Sequence, residues 1–241
     1  MDVTVVVPAH NEERLIGAGL DAIALSAQRG GLEHEVVVVA NRCTDDTESI
    51  ASERSARVVL SEARNLSAVR NAGFAAANGP VVVTIDADTR LHPDGLGRIA
   101  DLLADPTVVG GGCRFVPERT SPGINATVAT VRALTRVARV SGVVFWSRLV
   151  DVAAIGGFDE DLLVGEDVDF ARRLRRHGRR TGRRRFVTLD TPATISTRKF
   201  DRYGDWHMFA MAKDLPAIWA SMTGRDTRWV DRYFHDYADR D

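Results

Sequence analysis

Two carboxylates stand one residue apart at the end of an apolar run: in "VVVTIDADTRLHP" (Val81 to Pro93), Asp86 and Asp88 flank Ala87. Residues two apart in extended chain point to the same side, so both acids can face one ligand. Hard divalent cations take oxygen ligands, and Mg²⁺ is commonly held by one or two carboxylates together with phosphate oxygens. The pair therefore suits a cation placed against a phosphorylated ligand. A turn after a strand, where Asp is common, is the competing explanation. It accounts for one Asp more easily than for two beside an apolar run. A second acidic pair, Glu166 and Asp167, follows Gly165, with Val168, Ala171 and Leu174 marking one helical face behind it. Acids in a first helical turn are also favoured by the macrodipole alone.

The elements around these residues alternate. "VTVVVP" (Val3 to Pro8) and "EVVVVA" (Glu35 to Ala40) are continuous and β-branched, as strands buried on both faces should be. "RVVLS" and "PVVVTID" are a third and a fourth strand. Helical spacing runs from Asn11 to about Gln28, from near Thr44 or Asp45, from Ser67 to Ala77 and from Pro93 to Leu103. "TVVGGGCRFV" predicts a further strand, kinked or bulged at Gly110 to Gly112. This order predicts an α/β fold with a mostly parallel sheet flanked by helices, in which ligands lie beyond the carboxyl ends of the strands. Those ends carry "PAHNEE", "NRCTDD" and "DADT", so three polar clusters converge on one edge.

The second half reads as a loop, a helix and an apolar segment over "SPGINATVATVRALTRVARVSGVVFWSRLV". A loop then leads into a helix that stops near Gly178, and Trp206 to Ile218 has the pattern of an amphipathic helix ended by Pro216. No repeat or linker divides the 241 residues, so a single domain is expected. A net charge of -1 excludes a polyanion binder as a whole, and 44% hydrophobic residues can fill a core. Cys43 and Cys113 are too few for a disulfide framework and read as free thiols in a reducing cytoplasm. The N-terminus lacks the basic region of a signal peptide, and no stretch approaches the ~20 apolar residues of a membrane span. A cytoplasmic protein is expected, possible contact at the inner membrane face included.

With "VVVPAHNEE", "VVVANRCTDDT", "AVRNAGFAAANG", "DADT" and "GGFDEDLLVGEDVDFARRL" in this order, the chain resembles a family 2 glycosyltransferase of GT-A (Rossmann-like) fold. The motifs span roughly Val3 to Leu174. The resemblance implies a single GT-A domain over 1–241, with a nucleotide-binding half (1–115) and an acceptor-binding half (116–241). It implies a metal-dependent transfer of a sugar from a nucleotide-diphosphate sugar donor to an acceptor hydroxyl on a glycan, a lipid-linked acceptor or a small molecule. Asp88, with Asp86, would bind Mn²⁺ or Mg²⁺, and Asp86 would also contact the ribose. The cation would neutralise the charge that develops on the departing diphosphate.

Asp167, beside Glu166, would be the general base of an inverting reaction, kept ionised by its helix N-terminus. A retaining transferase and a non-catalytic nucleotide- or carbohydrate-binding relative are the alternatives. Pro8, Ala9, Asn11, Glu13, Asn41, Arg70, Asp86 and Ala87 would line the nucleotide sugar. Arg70, followed by Asn71, would meet a phosphate or the metal-binding Asp through its fork, and Arg64 is a neighbouring candidate. The family's usual pair of aspartates after the second strand is Ala40–Asn41 here, which leaves the base open among uracil, guanine and others.

Other signals are ordinary. Glu12 and Glu13 could touch the ribose or base, but acids in a first helical turn are the readier reading, and Asp45 or Asp46 reads as a helix cap. "GAGLDA" (Gly17 to Ala22) fits a dinucleotide fingerprint but lies inside a helix instead of opening one after a strand. The Arg-rich stretch 172–185 reads as a solvated helix end, with peripheral membrane contact the next reading and no nucleic acid expected. His207 is a candidate third metal ligand. Arg198 or Lys199 would counter the diphosphate charge. Asp159 and Glu160 would line the acceptor path or form a polar loop.

Overall fold

The computed structural model describes residues 2–138, 143–162 and 165–210. In chain order the elements of the first half are β1 (Val3–Ala9), α1 (Ile16–Gly30), β2 (His34–Asn41), α2 (Thr47–Glu53), β3 (Arg57–Ser61), α3 (Leu66–Ala76), β4 (Val81–Ile85), β5 (Thr89–Arg90) and α4 (Gly95–Ala104). The second half adds β6 (Val108–Pro117), α5 (Pro122–Ala138), β7 (Val144–Arg148), α6 (Leu149–Ala154), α7 (Glu166–Arg180), β8 (Arg185–Ile195), α8 (Arg198–Tyr203) and α9 (His207–Ala210).

The strands form one sheet in the order β3-β2-β1-β4-β7-β6-β8-β5. From β3 to β4 every pairing is parallel, and β6 and β8 are parallel to each other. β7 lies antiparallel between β4 and β6. The sheet is thus mostly parallel, with β7 reversed near its middle and the short β5 reversed at its edge, antiparallel to β8. The carboxyl ends of β1, β2, β4, β6 and β8 consequently share one edge.

Alternate residues of the apolar strands feed two cores, which is why the runs are continuous. Val5 and Val7 pack with Ile16, Leu20 and Ile99 on the face of α1 and α4. Val6, Val37 and Val39 pack with Phe74, Phe158, Phe170 and Leu174 on the face of α3 and α7. There Phe158 stacks on Phe170 with centroids 4.2 Å apart. α3 lies close against β1 because Gly73 has no side chain: a Cβ there would stand 2.1 Å from a Val6 methyl.

Several expectations change on contact with the structure. The first helix begins at Ile16, not Asn11. Asn11 is left-handed, with φ 51°, and the Glu12 amide donates to Thr47 Oγ1 at 2.7 Å. Five residues that look helical are therefore a loop tied to the start of α2. The "GGG" of β6 does coincide with irregular register, between Val108 and Gly110 and again between Cys113 and Phe115. Its middle glycine also serves packing, since a Cβ on Gly111 would meet Val187 O and the Trp146 ring. β5 and β8 carry no strand signal strong enough to read. The helical pattern from Trp206 to Ile218 lies mostly outside the described residues, which contain His207–Ala210 of it as α9. Among the described residues no helix is long and apolar enough to cross a membrane.

Candidate active site

The sheet edge at the carboxyl ends of β1, β2, β4 and β8 gathers the acids singled out above. β4 ends at Ile85 and runs directly into Asp86, Ala87 and Asp88. The turn is closed by the Thr89 amide donating to Asp86 O at 3.0 Å, and Thr89 then pairs with Ile195 of β8. The Ser196 amide donates to Asp88 O at 3.1 Å, so β8 fixes the second acid of the pair. Ala87 is buried, and its carbonyl oxygen would stand 3.1 Å from a Cβ on Gly19. The glycine of the "GAGLDA" stretch thus lets α1 approach the acidic turn, a packing role that accounts for it without a dinucleotide.

Asp86 and Asp88 differ in setting. The Asp86 side chain is 41% exposed, against 27% for Asp88. Burial pushes the Asp88 carboxyl above its usual range, and the Asp86 charge adds to this, opposed by Arg198 and Lys199. Among the described residues, no three His, Cys, Asp or Glu side chains are gathered closely enough to hold an ion unaided. A paired, mutually repelling Asp86 and Asp88 nevertheless fits Mg²⁺ or Mn²⁺, whose remaining ligands are typically phosphate oxygens and water. His207 is elsewhere engaged, with Nδ1 2.9 Å from Gly204 O and its ring at the edge of Phe200.

Arg70 joins the two acidic pairs. It is only 4% exposed, on α3, whose first turn is capped by Asn65 accepting from the Ala68 amide at 2.7 Å. Arg70 Nη2 donates to Asp86 at 3.1 Å, and Nη1 donates to Asp167 at 2.8 Å and reaches Glu166 at 3.5 Å. The face of Phe158 lies 4.9 Å from the guanidinium. Burial works against the charge of Arg70, but Asp167, Asp86 and Glu166 outweigh it and hold the guanidinium protonated. A surface arginine is thereby excluded.

Asp167 sits in the first turn of α7, entered through Gly165 at φ 84°. Its carboxyl is pushed up to about 7 by burial; Arg70 pulls it down, and Glu166 and Asp86 raise it further. The helix N-terminus does not keep it at the ordinary carboxylate value. Desolvation and two neighbouring acids outweigh that field. The neighbouring loop is held by Asn71, which accepts from the Phe158 amide at 2.8 Å and donates to Phe158 O at 2.9 Å and to Glu160 at 2.8 Å. Glu160 is therefore tied into the loop, and Asn71 is a supporting residue whose role its sequence context did not reveal.

Glu12 stands beside the acidic turn and not in a helix. α1 has no acid in its first turn, so the reading of Glu12 and Glu13 as such acids is overturned. Both Glu12 oxygens accept from Arg198, one of them at 2.6 Å, and Arg198 also lies 3.8 Å from Asp88. Burial pushes the Glu12 carboxyl up to about 7; Arg198 opposes this, and Asp88 and Asp86 add to it. Burial also lowers Lys199, against the pull of Asp88. Arg198 and Lys199 thus stand at the acidic turn, while Arg64 is exposed.

The base-side corner is a zip between two loops. Pro8 and Ala9 end β1, and Asn11 accepts from the Thr44 amide at 2.8 Å. The Glu13 amide donates to Asp45 at 3.0 Å, and the Glu13 carboxylate accepts from the Asp46 amide at 3.3 Å. Asp45 caps α2 by accepting from the Thr47 amide at 3.0 Å. Asn41 is buried at the end of β2, and its Oδ1 has no hydrogen-bond partner among the described residues. The Arg-rich stretch is partly consumed by the fold: Arg173 donates to Asp169, Arg183 to Asp151 and Arg185 to Asp105.

Comparison with known proteins shows the family and the fold. Residues 4–141 match the model of Glycosyl transferase family 2, and residues 81–230 match Glycosyl transferase family group 2. An uncharacterized glycosyltransferase of Mycobacterium tuberculosis is 35% identical over 130 residues, 54% of this chain and 56% of the relative. A pre-mycofactocin glycosyltransferase of the same organism is 28% identical over 74% of this chain and 40% of its own length. The chain thus spans about half the length of these curated relatives. Among solved structures, a mannosyltransferase from Pyrobaculum calidifontis in complex with GDP-Man and Mn²⁺ is 25% identical with a TM-score of 0.62, covering 80% of this chain and 56% of that one.

Proposed function

The chain belongs to glycosyl transferase family 2, and on that premise we propose that it moves a glycosyl group from a nucleotide-diphosphate sugar to an acceptor hydroxyl with inversion. Asp86 and Asp88 would hold a divalent cation, Mn²⁺ or Mg²⁺. When bound, that ion supplies positive charge against the departing diphosphate. Arg198 and Lys199, beside Asp88, add charge of the same sign from the protein.

Asp167 is the general base in this reading. Its carboxylate takes the proton of the acceptor hydroxyl as that oxygen attacks the anomeric carbon. The bond from that carbon to the diphosphate oxygen breaks, and its electron pair leaves with the diphosphate. Attack from the face opposite the leaving group inverts the centre. A base titrating near 7 suits this task, because a substantial fraction is ionised at neutral pH and it is still basic enough to accept a proton. Pro8, Ala9, Asn11, Glu13 and Asn41 would lie along the nucleoside, and the 116–241 half would receive the acceptor.

The observation that carries the reading is the shared guanidinium: Arg70 touches both Asp86, at the donor end, and Asp167, at the base end. One cluster, centred on the buried Arg70, would therefore supply both halves of a displacement site. The likeness to a mannosyltransferase solved in complex with GDP-Man and Mn²⁺ supports the donor class and the cation. The test is product stereochemistry. The anomeric configuration of the product, read by NMR, should be inverted, and Asp167→Asn should bind donor yet release no nucleoside diphosphate to acceptor. Retention in the product, or full activity in Asp167→Asn, overturns the proposal.

A further inference from the structure

We propose that Arg70 is a positioning residue for the base: its rigid fork fixes where the Asp167 carboxylate stands relative to Asp86. The inference rests on the reading of Asp167 as base. Its own grounds are geometric. The two terminal nitrogens of one planar group reach different acids, Nη1 to Asp167 at 2.8 Å and Nη2 to Asp86 at 3.1 Å. A guanidinium cannot change the angle between its two arms, so these bonds set the spacing of the two carboxylates.

The group itself has little freedom. It is buried, lies against the face of Phe158, and projects from a helix pressed onto β1 at Gly73. Phe158 is in turn stacked on Phe170 of α7, the helix that carries Asp167. Arg70 thus references both acids to the same packed core. Its Nε is buried with no partner among the described residues, so the orientation depends on the two terminal nitrogens. The charge is needed as well: without it Asp86, Glu166 and Asp167 would repel one another around the buried Arg70 position.

A lysine in the same place keeps the charge and loses the fork. Arg70→Lys should retain its melting temperature within a few degrees and keep the Mn²⁺-dependent thermal shift with UDP or GDP. Its kcat should fall about 100-fold, with the donor KM within about threefold, the signature of a misplaced but present base. The groups facing Asp167 are Arg70 from α3, Glu166 from its own helix and Asp86 from the turn after β4. Arg70→Lys keeps the charge that holds the base down, so the rising limb of its pH–rate profile should stay near the native position, whereas loss of that charge in Arg70→Ala lets burial and the two acids push the base higher and should move the limb to higher pH. Arg70→Ala is the second variant, and added guanidinium ion should restore part of its activity.

An unmoved limb in Arg70→Ala, or native kcat in Arg70→Lys, overturns the proposal. So does loss of UDP and GDP binding in that variant with its fold intact, which would make Arg70 a donor-binding residue. Full transfer by Asp167→Asn fails differently: it removes the base reading on which the proposal rests, whatever Arg70→Lys does.

Discussion

Arg198 and Glu12 are joined through both carboxylate oxygens of Glu12, although 186 residues separate them. The pair closes α8 over the loop after β1, next to Asp88. An anionic donor arriving at Asp86 and Asp88 meets a cation that is already held by an acid. Glu12 and a diphosphate are therefore rivals for Arg198. Glu12 is pushed up to about 7, chiefly by burial, so its negative charge grows as pH rises through that value. Affinity for a nucleotide-diphosphate sugar should accordingly fall between about pH 6 and 8. Calorimetry with GDP-Man or a UDP-sugar across that range checks this. Glu12→Gln should bind more tightly at pH 8 and lose the dependence. Arg198→Ala should weaken binding by about tenfold, a typical loss for one charge-assisted contact.

Asp88→Ala should abolish the effect of Mn²⁺ on nucleotide binding. The acidic turn is held by its own backbone, through Thr89 and Ser196, so the truncation leaves the fold intact. Removing Asp88 also relieves a carboxyl that burial holds in an unfavourable state. The variant should melt no lower than the native chain without ligand. With UDP or GDP, its thermal shift should be the same with and without Mn²⁺. A shift that still grows with Mn²⁺ would remove Asp88 from the cation site.

How much of this was legible in the sequence depended on whether the signal was local. β1, β2 and β4 are continuous β-branched runs feeding two cores, and such runs are readable. β8 is a mixture of Thr, Asp, Pro and apolar residues with mostly partial burial, and it opens on the last of three consecutive arginines. Nothing in a period of two separates it from a loop. The acids at the strand ends were visible, because polar residues after a buried run stand out. Glu12 was left between two readings because Leu15, Ile16 and Leu20 extend a helical pattern backwards over it. What stops the helix is the Asn11 backbone and the contacts to Thr44 and Thr47, more than thirty residues away. Arg70 was visible as a residue type in "VRNAG". Its burial against Phe158 and its contact with Asp167 are tertiary facts, 88 and 97 residues distant in sequence for the ring and the acid.

Phe158 should matter to both stability and rate. It stacks on Phe170 at 4.2 Å and on Phe74 at 5.9 Å, and it presents its face to Arg70. Phe158→Ala should cost about 3–5 kcal/mol by opening a cavity in this aromatic cluster. It should also let Arg70 tilt, so kcat measured well below the melting temperature should drop further than a small loss of folded protein explains. Phe158→Leu fills most of the volume without an aromatic face, and should recover stability better than rate. Equal recovery of both would mean that the ring acts by volume alone.

Asp167 ties the pH dependence of activity to that of stability, with opposite signs. As a base it works only when deprotonated. Its folded value is raised from 3.8 to about 7, with burial the largest cause, so log kcat/KM should climb with unit slope below that pH and level off above it. The unfolded chain, with an ordinary Asp, is ionised throughout this range. Between about pH 4 and 7 the folded chain therefore binds a proton that the unfolded chain does not, and stability declines as pH rises across the window. Glu12, also raised to about 7, contributes in the same direction. The ligand-free enzyme should thus melt at a lower temperature at pH 8 than at pH 5.5, while being more active at pH 8. Glu12→Gln should remove part of the slope in melting temperature and leave the rising limb of activity in place. If that limb instead follows Glu12 and survives in a residually active Asp167→Asn enzyme, the base lies elsewhere in the cluster.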